Sequence, residues 1–352
     1  MTWRRAYWLL AWVSAGCAPV SDIVAHWRDG DAGATCAAAD SCTLPACANT
    51  ARCQQPDAGV ECGAYACSAA ADRQAFCDSE GAALAIGDTC DSVTGRQHFR
   101  YAVCAHEDIT TTAPLTIDGD VAVDGDESAN FGAATVIRGT LYYSGKLPRA
   151  SPGTNPEIGA SVESEPRCGT DSATLLNLER TVRAHATDND NTRVASTLSS
   201  IEHFSAPLTA TLPCGRYYLA GIQGEGALVL RVTGHVALYI DGSVQLPQGL
   251  RIEAPAPARV TLVVNGAFHI TGGFTLGEAA TTTARHVLAV NSQVYLDGGE
   301  SLLDGALYAP QTELLSTAPL EIRGAAYVDR ARLNNATAIR YAANAAAAAR
   351  CD

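Results

Sequence analysis

Cysteine is the residue of this chain with the most chemistry to offer, and there are 13 of them. Nine fall in one stretch: Cys36, Cys42, Cys47, Cys53, Cys62, Cys67, Cys77, Cys90 and Cys104. The stretch contains no CxxC pair and little histidine, so the spacing is wrong for a zinc knuckle. It is also poor in large apolar side chains, cannot bury much core, and must be stapled by disulfides. Such bridges persist outside the cytosol. Cys17 lies before the stretch and Cys168, Cys214 and Cys351 after it. Setting Cys17 apart leaves an even set of 12. Pairing is not readable from spacing, but nine is odd, so one of the clustered cysteines must pair outside the cluster or stay free. Cys168 with Cys214 is the first choice for one bridge, and Cys104 with Cys351 the second.

A second set of residues could do chemistry by stacking. The pattern aliphatic, polar, glycine, any residue, then alternating apolar residues recurs, as in Ile117-Asp118-Gly119-Asp120-Val121 and Ile240-Asp241-Gly242-Ser243-Val244. The polar members are Asp118, Arg138, Asp241, Asn265, Asn291, Asp304 and Arg323. In stacked coils about 4.8 Å apart they would form a column. One reading is a cleft of the polysaccharide-lyase or glycosidase kind, with Asp holding calcium and Arg abstracting a proton. The other is a ladder of short polar side chains bonding the turns, and neutral Asn265 and Asn291 between the acids favour it. Asp188-Asn189-Asp190-Asn191 offers alternate oxygens but lacks the glycine and glutamate of a calcium loop, and reads as a helix–helix turn. The eight histidines are scattered, His235 and His269 lie in strands, and no nucleophile elbow or phosphate loop occurs. No catalytic residue, metal or cofactor is expected. Tyr142, Tyr143, Tyr217, Tyr218, Tyr239, Tyr295, Tyr308 and Tyr327 recur on strands and could stack on sugar rings if they faced outward.

The elements that position these residues follow from the pattern. Alternation puts Val, Ile and Leu on one face of each strand, and a polar-glycine corner lets the chain turn. One coil cannot bury its apolar face alone, so neighbours must stack. The expected fold is mainly β: a β-solenoid over 108–342 with a helical insertion at about 165–205, preceded by a disulfide-rich module over 36–107. An antiparallel sandwich is the competing reading. In the insertion, Asp171-Ser172 would cap a helix carrying Leu175, Leu178 and Val182, and a second helix would carry Val194, Leu198 and Ile201. Residues 17–35 read as a tether and 343–352 as an Ala-rich tail.

The first residues, MTWRRAYWLLAWVSAGC, have a basic start, a short apolar run and small residues before Cys17. The run is too short to span a bilayer, which takes roughly 20 apolar residues. Its ending resembles the lipobox of bacterial lipoproteins, with Ser14 where that family usually has Leu. The resemblance implies removal of residues 1–16, lipid on Cys17 and membrane attachment through it. Ala18 and Pro19, with no Asp second, imply the outer membrane, facing periplasm or cell surface. Formal charge is −13, and losing Arg4 and Arg5 makes it −15. That balance excludes binding nucleic acid through its phosphates.

Leu212-Pro213-Cys214-Gly215-Arg216-Tyr217-Tyr218-Leu219, then Leu307-Tyr308-Ala309-Pro310 and Ile339-Arg340-Tyr341, resemble an uncharacterised bacterial envelope domain of exported lipoproteins and pilus-associated surface proteins. The resemblance spans roughly 110–342 and implies a right-handed β-solenoid with a helical insertion. It transfers no activity. The functional expectation is a non-enzymatic, lipid-anchored envelope protein, adhesive, structural or glycan-binding. The alternatives are the β-helix enzyme above and an accessory subunit of a surface appendage. Envelope polysaccharide or a surface protein is the expected partner.

Overall fold

The computed structural model describes residues 51–53, 62–64, 76–77 and 99–342, apart from 126–128, 133, 145–148, 151–154, 165–167, 169–174, 176 and 278–285. Cys17, the leader, the tether, the tail and Cys36, Cys42, Cys47, Cys67, Cys90 and Cys351 lie outside them. The chain divides into two compact units between Ala75 and Phe76. In the first, strands Ala51–Cys53 and Cys62–Ala64 pair antiparallel with Cys53 opposite Cys62.

The second unit is a parallel β-solenoid of about 10 turns. Each turn has three sides, shown by Leu208–Leu212 (first side), Gly215–Leu219 (second) and Ile222–Gly224 (third). Each strand pairs in parallel with its counterpart one turn on, as Leu208–Leu212 does with Leu228–Val232. On the first and third sides alternate residues enter the core: in Leu228–Val232, Leu228, Leu230 and Val232 are buried while Arg231 is exposed. Leu238, Leu262, Leu288 and Leu307 stack in register inside the second side. Each such side chain contributes about 1.5–3 kcal/mol by leaving water.

The second side differs, because its strands are buried throughout: Val236–Ile240, Val260–Val264 and His286–Val290 show no exposed position. Its outward residues Tyr239, Val263, Ala289, Tyr308, Tyr327, Cys104 and Ala122 form a second apolar cluster with Leu178, Val182 and Cys168 of the insertion. A sheet covered on both faces reads as a continuous apolar run rather than an alternation.

Stacking order departs from chain order. The coils run from His203–Phe204 to Leu320–Leu333 and Thr337–Tyr341, and residues 103–163 then continue the stack beyond them. Strand Val103–Thr111 pairs on one flank with Leu320–Leu333 and on the other with Val121–Val123 and Asn130–Phe131. Thr337–Tyr341 lies between Leu320–Leu333 and Leu115–Asp118. One interior coil is therefore composite, its first side drawn from the late chain and its second and third sides from the early chain. The helical insertion lies in the chain between the early and the late coils, and it serves as a crossover that returns from Glu157–Glu163, at one end of the stack, to His203–Phe204 at the other. With roughly 4.8 Å per coil, nine steps span about 43 Å.

Candidate functional site

The crossover carries helix α1, Leu178–Ala184, and helix α2, Ala195–Glu202, with a 3₁₀ turn at Asn191–Arg193 between them. The expected cap at Asp171-Ser172 lies outside the described residues. The observed cap is Asn177, whose Oδ1 accepts from Arg180 N–H at 2.9 Å. Three of the four residues that hinted at a calcium loop, Asn189, Asp190 and Asn191, spend their side-chain groups on the backbone. Asn189 Nδ2 donates to the His185 carbonyl at 2.8 Å. Asp190 Oδ2 accepts from Arg216 N–H at 2.9 Å. Asn191 donates to the Tyr218 carbonyl at 2.6 Å and accepts from Tyr218 N–H at 2.9 Å. Asp190 and Asn191 thus imitate the missing neighbour of edge strand Gly215–Leu219. Glu202 does the same nearby, accepting from Ala220 N–H at 2.8 Å. This end is closed by side chains acting as a strand.

Two disulfides fasten the crossover and the segment before the solenoid. Cys104 pairs with Cys168, and Cys77 with Cys214. The sequence-based choices, Cys168 with Cys214 and Cys104 with Cys351, are therefore corrected. They assumed that the insertion closes on itself and that the stack follows the chain. Cys104 sits instead in the composite coil and faces outward onto the crossover, where Tyr327 Oη donates to the Cys168 carbonyl. Among the described residues, Cys77 and Cys104 of the cluster pair outside it.

The single polar column divides between two edges of the solenoid. Asp241, Asn265 and Asn291 follow second-side strands, whereas Asp118, Arg138, Asp304 and Arg323 close first-side strands. The 13 residues from Ser292, after Asn291, to Gly305, after Asp304, mark that change of corner, since a whole turn takes 17–27 residues. On the first edge, Asn291 Nδ2 donates to Asn265 Oδ1 at 2.9 Å and Asn265 Nδ2 to Asp241 Oδ1 at 3.0 Å. Tyr218 Oη donates to Asp241 Oδ2 at 3.1 Å. Burial raises the Tyr218 phenol above its ordinary range, and the Asp241 carboxylate raises it further. On the second edge Arg138 is paired with Asp118. Arg323 binds Glu321 at 2.9 Å, and Asp304 is fully buried. The corner glycines serve close approach more often than positive φ. A Cβ on Gly266 would lie 2.6 Å from the Gly242 backbone, and one on Gly242 2.4 Å from the Ala220 carbonyl. Gly119 and Gly324 alone of the six take positive φ.

Among the described residues, His106, Glu107 and Asp329 bring their ligand-type atoms within 4.8 Å of one another. His106 Nδ1 lies 3.0 Å from Asp329 Oδ1, and Arg330 is paired with Glu107. The group is an ion-pair knot joining the composite coil to its neighbour.

The tyrosines mostly serve packing. Tyr217 fills the core, while Tyr239, Tyr308 and Tyr327 lie under the crossover, where His185 stacks on Tyr239 at 3.7 Å. Tyr295 is different. It belongs to an in-register row on the third side that the sequence reading did not assemble: His203, Gln223, Gln245, His269 and Tyr295, continued by Leu315, Arg332, Thr110, Asn130 and Arg149. Gln223 and Gln245 are exposed, whereas Val244 and Leu246 beside Gln245, and Phe268 and Ile270 beside His269, are buried. The His269 and Tyr295 rings lie 4.5 Å apart. Nearby Asp297 is held below the usual carboxylate range by the Thr317 hydroxyl first, then by the Gly298 N–H and the Tyr295 hydroxyl. The row contains no acid, in a chain of 37 acids. The short triads VQL, FHI and VYL are its only sequence signal, and they mean little until the side of the coil is known.

The structure defines a protein of the parallel β-solenoid class, closed at one end by its own crossover. Residues 159–347 match the family described as a domain of unknown function, DUF7305, and the chain belongs to that family. No curated protein matches the chain. Similar solved structures include an ice-binding protein from an Antarctic Biological Consortium, 16% identical over 71% of this chain and 90% of that one, with a TM-score of 0.27. Another is an ice-binding protein from the Antarctic ascomycete Antarctomyces psychrotrophicus, 13% identical over 70% of this chain and 95% of that one, TM-score 0.25. At those scores neither likeness carries an argument about what this chain does.

Proposed function

We propose that the chain is an exported, lipid-anchored envelope protein whose solenoid is a non-catalytic scaffold that binds glycan along its third side. The third-side row carries the reading. From His203 to Tyr295, planar side chains that can stack or hydrogen-bond repeat once per coil, at a pitch of about 4.8 Å, on a rigid surface suited to an extended polymer. The polar edges support a structural rather than catalytic body. Asp241 is engaged by Tyr218 and Asn265, and Asp118 by Arg138. An enzyme cleft would instead need carboxyl groups converging on one open space. Attachment through Cys17 rests on the lipobox-like ending, and no helix among the described residues is long and apolar enough to cross a membrane.

Membrane fractionation of wild type and Cys17→Ala tests the anchor, with wild type in the membrane fraction and the variant soluble after export. A Cys17→Ala protein that stays membrane-bound would overturn attachment by lipid. Reproducible polysaccharide cleavage by the purified chain, lost on replacing Asp241 or Asp304, would overturn the non-catalytic reading.

A further inference from the structure

The composite coil is the mechanical weak point of this topology. Strand Val103–Thr111 is hydrogen-bonded on both flanks, to Leu320–Leu333 and to Val121–Val123 and Asn130–Phe131. Pulling it out would leave the coils of 203–341 joined to those of 115–163 along the first side alone, where Thr337–Tyr341 pairs with Leu115–Asp118. It is also the first solenoid strand reached from the N-terminus, so tension entering there would load it first. The two disulfides alter that path. Cys77 lies 26 residues ahead of Val103 in the chain, yet is bonded to Cys214, at the corner between Leu208–Leu212 and Gly215–Leu219 of the coil at the opposite, closed end. Cys104, at the start of the composite coil, is bonded to Cys168 of the crossover.

We propose that these bonds form a two-stage bypass that keeps N-terminal tension off the composite coil. Force arriving at Cys77 passes through the sulfur–sulfur link into the closed end of the stack, and the chain leading from Cys77 to Cys104 does not carry it. If that link is absent, force reaches Cys104 and is shared with the crossover through Cys168. Only when both are absent does it peel Val103–Thr111 from its two neighbours. The order matters: the outer bond shields the inner one. The inference goes beyond the proposed glycan binding and holds for any load applied ahead of residue 76. Its use to the cell rests on the Cys17 anchor, which fractionation tests separately.

The test is single-molecule pulling on the full chain, with one handle at the N-terminus and a bioorthogonal, non-cysteine handle at Arg251. Four proteins are compared: wild type, Cys77→Ser/Cys214→Ser, Cys104→Ser/Cys168→Ser, and the quadruple variant. The outer-bond variant should show a low-force lengthening absent from wild type. Its size should be up to about 90–97 Å, the 27 residues from Cys77 to Cys104 at about 3.3–3.6 Å each. The inner-bond variant should pull like wild type, and the quadruple variant should lose the composite coil at the lowest force. A phosphine reductant added to folded wild type on the instrument gives the same comparison without relying on refolding of the variants, and should lower the force at which the composite coil is lost to that of the quadruple variant, beside any lengthening from other bridges that it cuts. If the inner-bond variant weakens as much as the outer-bond variant, or reduction leaves the first rupture unchanged, the bonds are ordinary staples and the bypass is wrong.

Discussion

The Tyr341 hydroxyl donates a 3.0 Å hydrogen bond to the Phe99 carbonyl, across 242 residues of sequence. The contact joins the last strand of the late coils to the segment that enters the early ones. Gly119 packs against both sides of this junction, with φ of +142°. A Cβ there would sit 2.7 Å from Tyr341 Cβ and 3.0 Å from Ala102 Cβ. Gly119→Ala should therefore cost about 1–3 kcal/mol, from backbone strain and overlap together. Gly221→Ala, whose Cβ would come no nearer than 3.3 Å to a neighbour, should cost under about 1 kcal/mol. Urea midpoints of the two variants measure the difference, and equal losses would mean that the junction is loose.

The Asp241–Asn265–Asn291 ladder makes a charge-specific prediction. Asn265→Asp replaces a donor with a second carboxylate beside Asp241, and should destabilise by about 1–2 kcal/mol at pH 7. The penalty should shrink below about pH 4, where carboxylates take up protons. Asn265→Ala should cost a similar amount without that pH dependence. Denaturant titrations at pH 7 and pH 3.5 separate the two cases, and a pH-independent penalty for Asn265→Asp would show that the ladder is not close-bonded.

Glu321 links two coils through Arg323 at 2.9 Å and Arg340 at 3.6 Å. The hydrogen bond from Arg323 holds its carboxyl below the usual range against the opposing effect of burial, helped by both guanidinium charges. A folded-state value lower than the unfolded one means that this contribution is fully present above the unfolded value, near 4.3, and is lost as pH falls through the folded value. The pair is partly exposed, so its worth is under about 1 kcal/mol. Glu321→Gln should flatten the acid limb of the stability profile by that amount and leave the Tm near pH 8 to 9 no more pH-dependent than in wild type. An acid limb unchanged in the variant would sink the assignment.

Asp190 closes the edge of Gly215–Leu219 by accepting from Arg216 N–H. Asp190→Ala leaves that buried donor without its partner, and should cost about 1–3 kcal/mol. Limited proteolysis should then cut the crossover sooner than in wild type, with the coils of 222–341 still resistant. Simultaneous loss of both would mean that the crossover is not a separable closure.

The solenoid was legible because its alternation and polar-glycine corners recur, and Leu198 and Ile201 of α2 were legible because they lie on one helical face. The stacking order was not. Val103–Thr111 and Thr337–Tyr341 carry the same alternation as any other coil, and nothing local tells a strand which neighbour it will join. Misplacing that junction also misassigned the disulfides, because Cys104 had been placed at one end of a domain rather than inside it. The ladder residues were found, but as one column. Both edges use an aliphatic-polar-glycine corner, and only the register separates Asp241 from Asp304. The His269–Tyr295 row was missed for a related reason. Each coil contributes one residue to it, and the outward position becomes visible only when the third sides are aligned.

The most direct test of the account is glycan binding by the third side. Purified wild type and a Gln245→Ala/Tyr295→Ala variant would be titrated against envelope polysaccharides, with a first-side variant, Thr209→Ala/Thr211→Ala, as control. The account predicts binding by wild type and control to at least one extended polysaccharide. It predicts a loss of roughly tenfold or more in the third-side variant, equivalent to about 1.4 kcal/mol, with the melting temperature of all three unchanged. Absence of binding to any polysaccharide by wild type, or binding undiminished in the third-side variant, would contradict it.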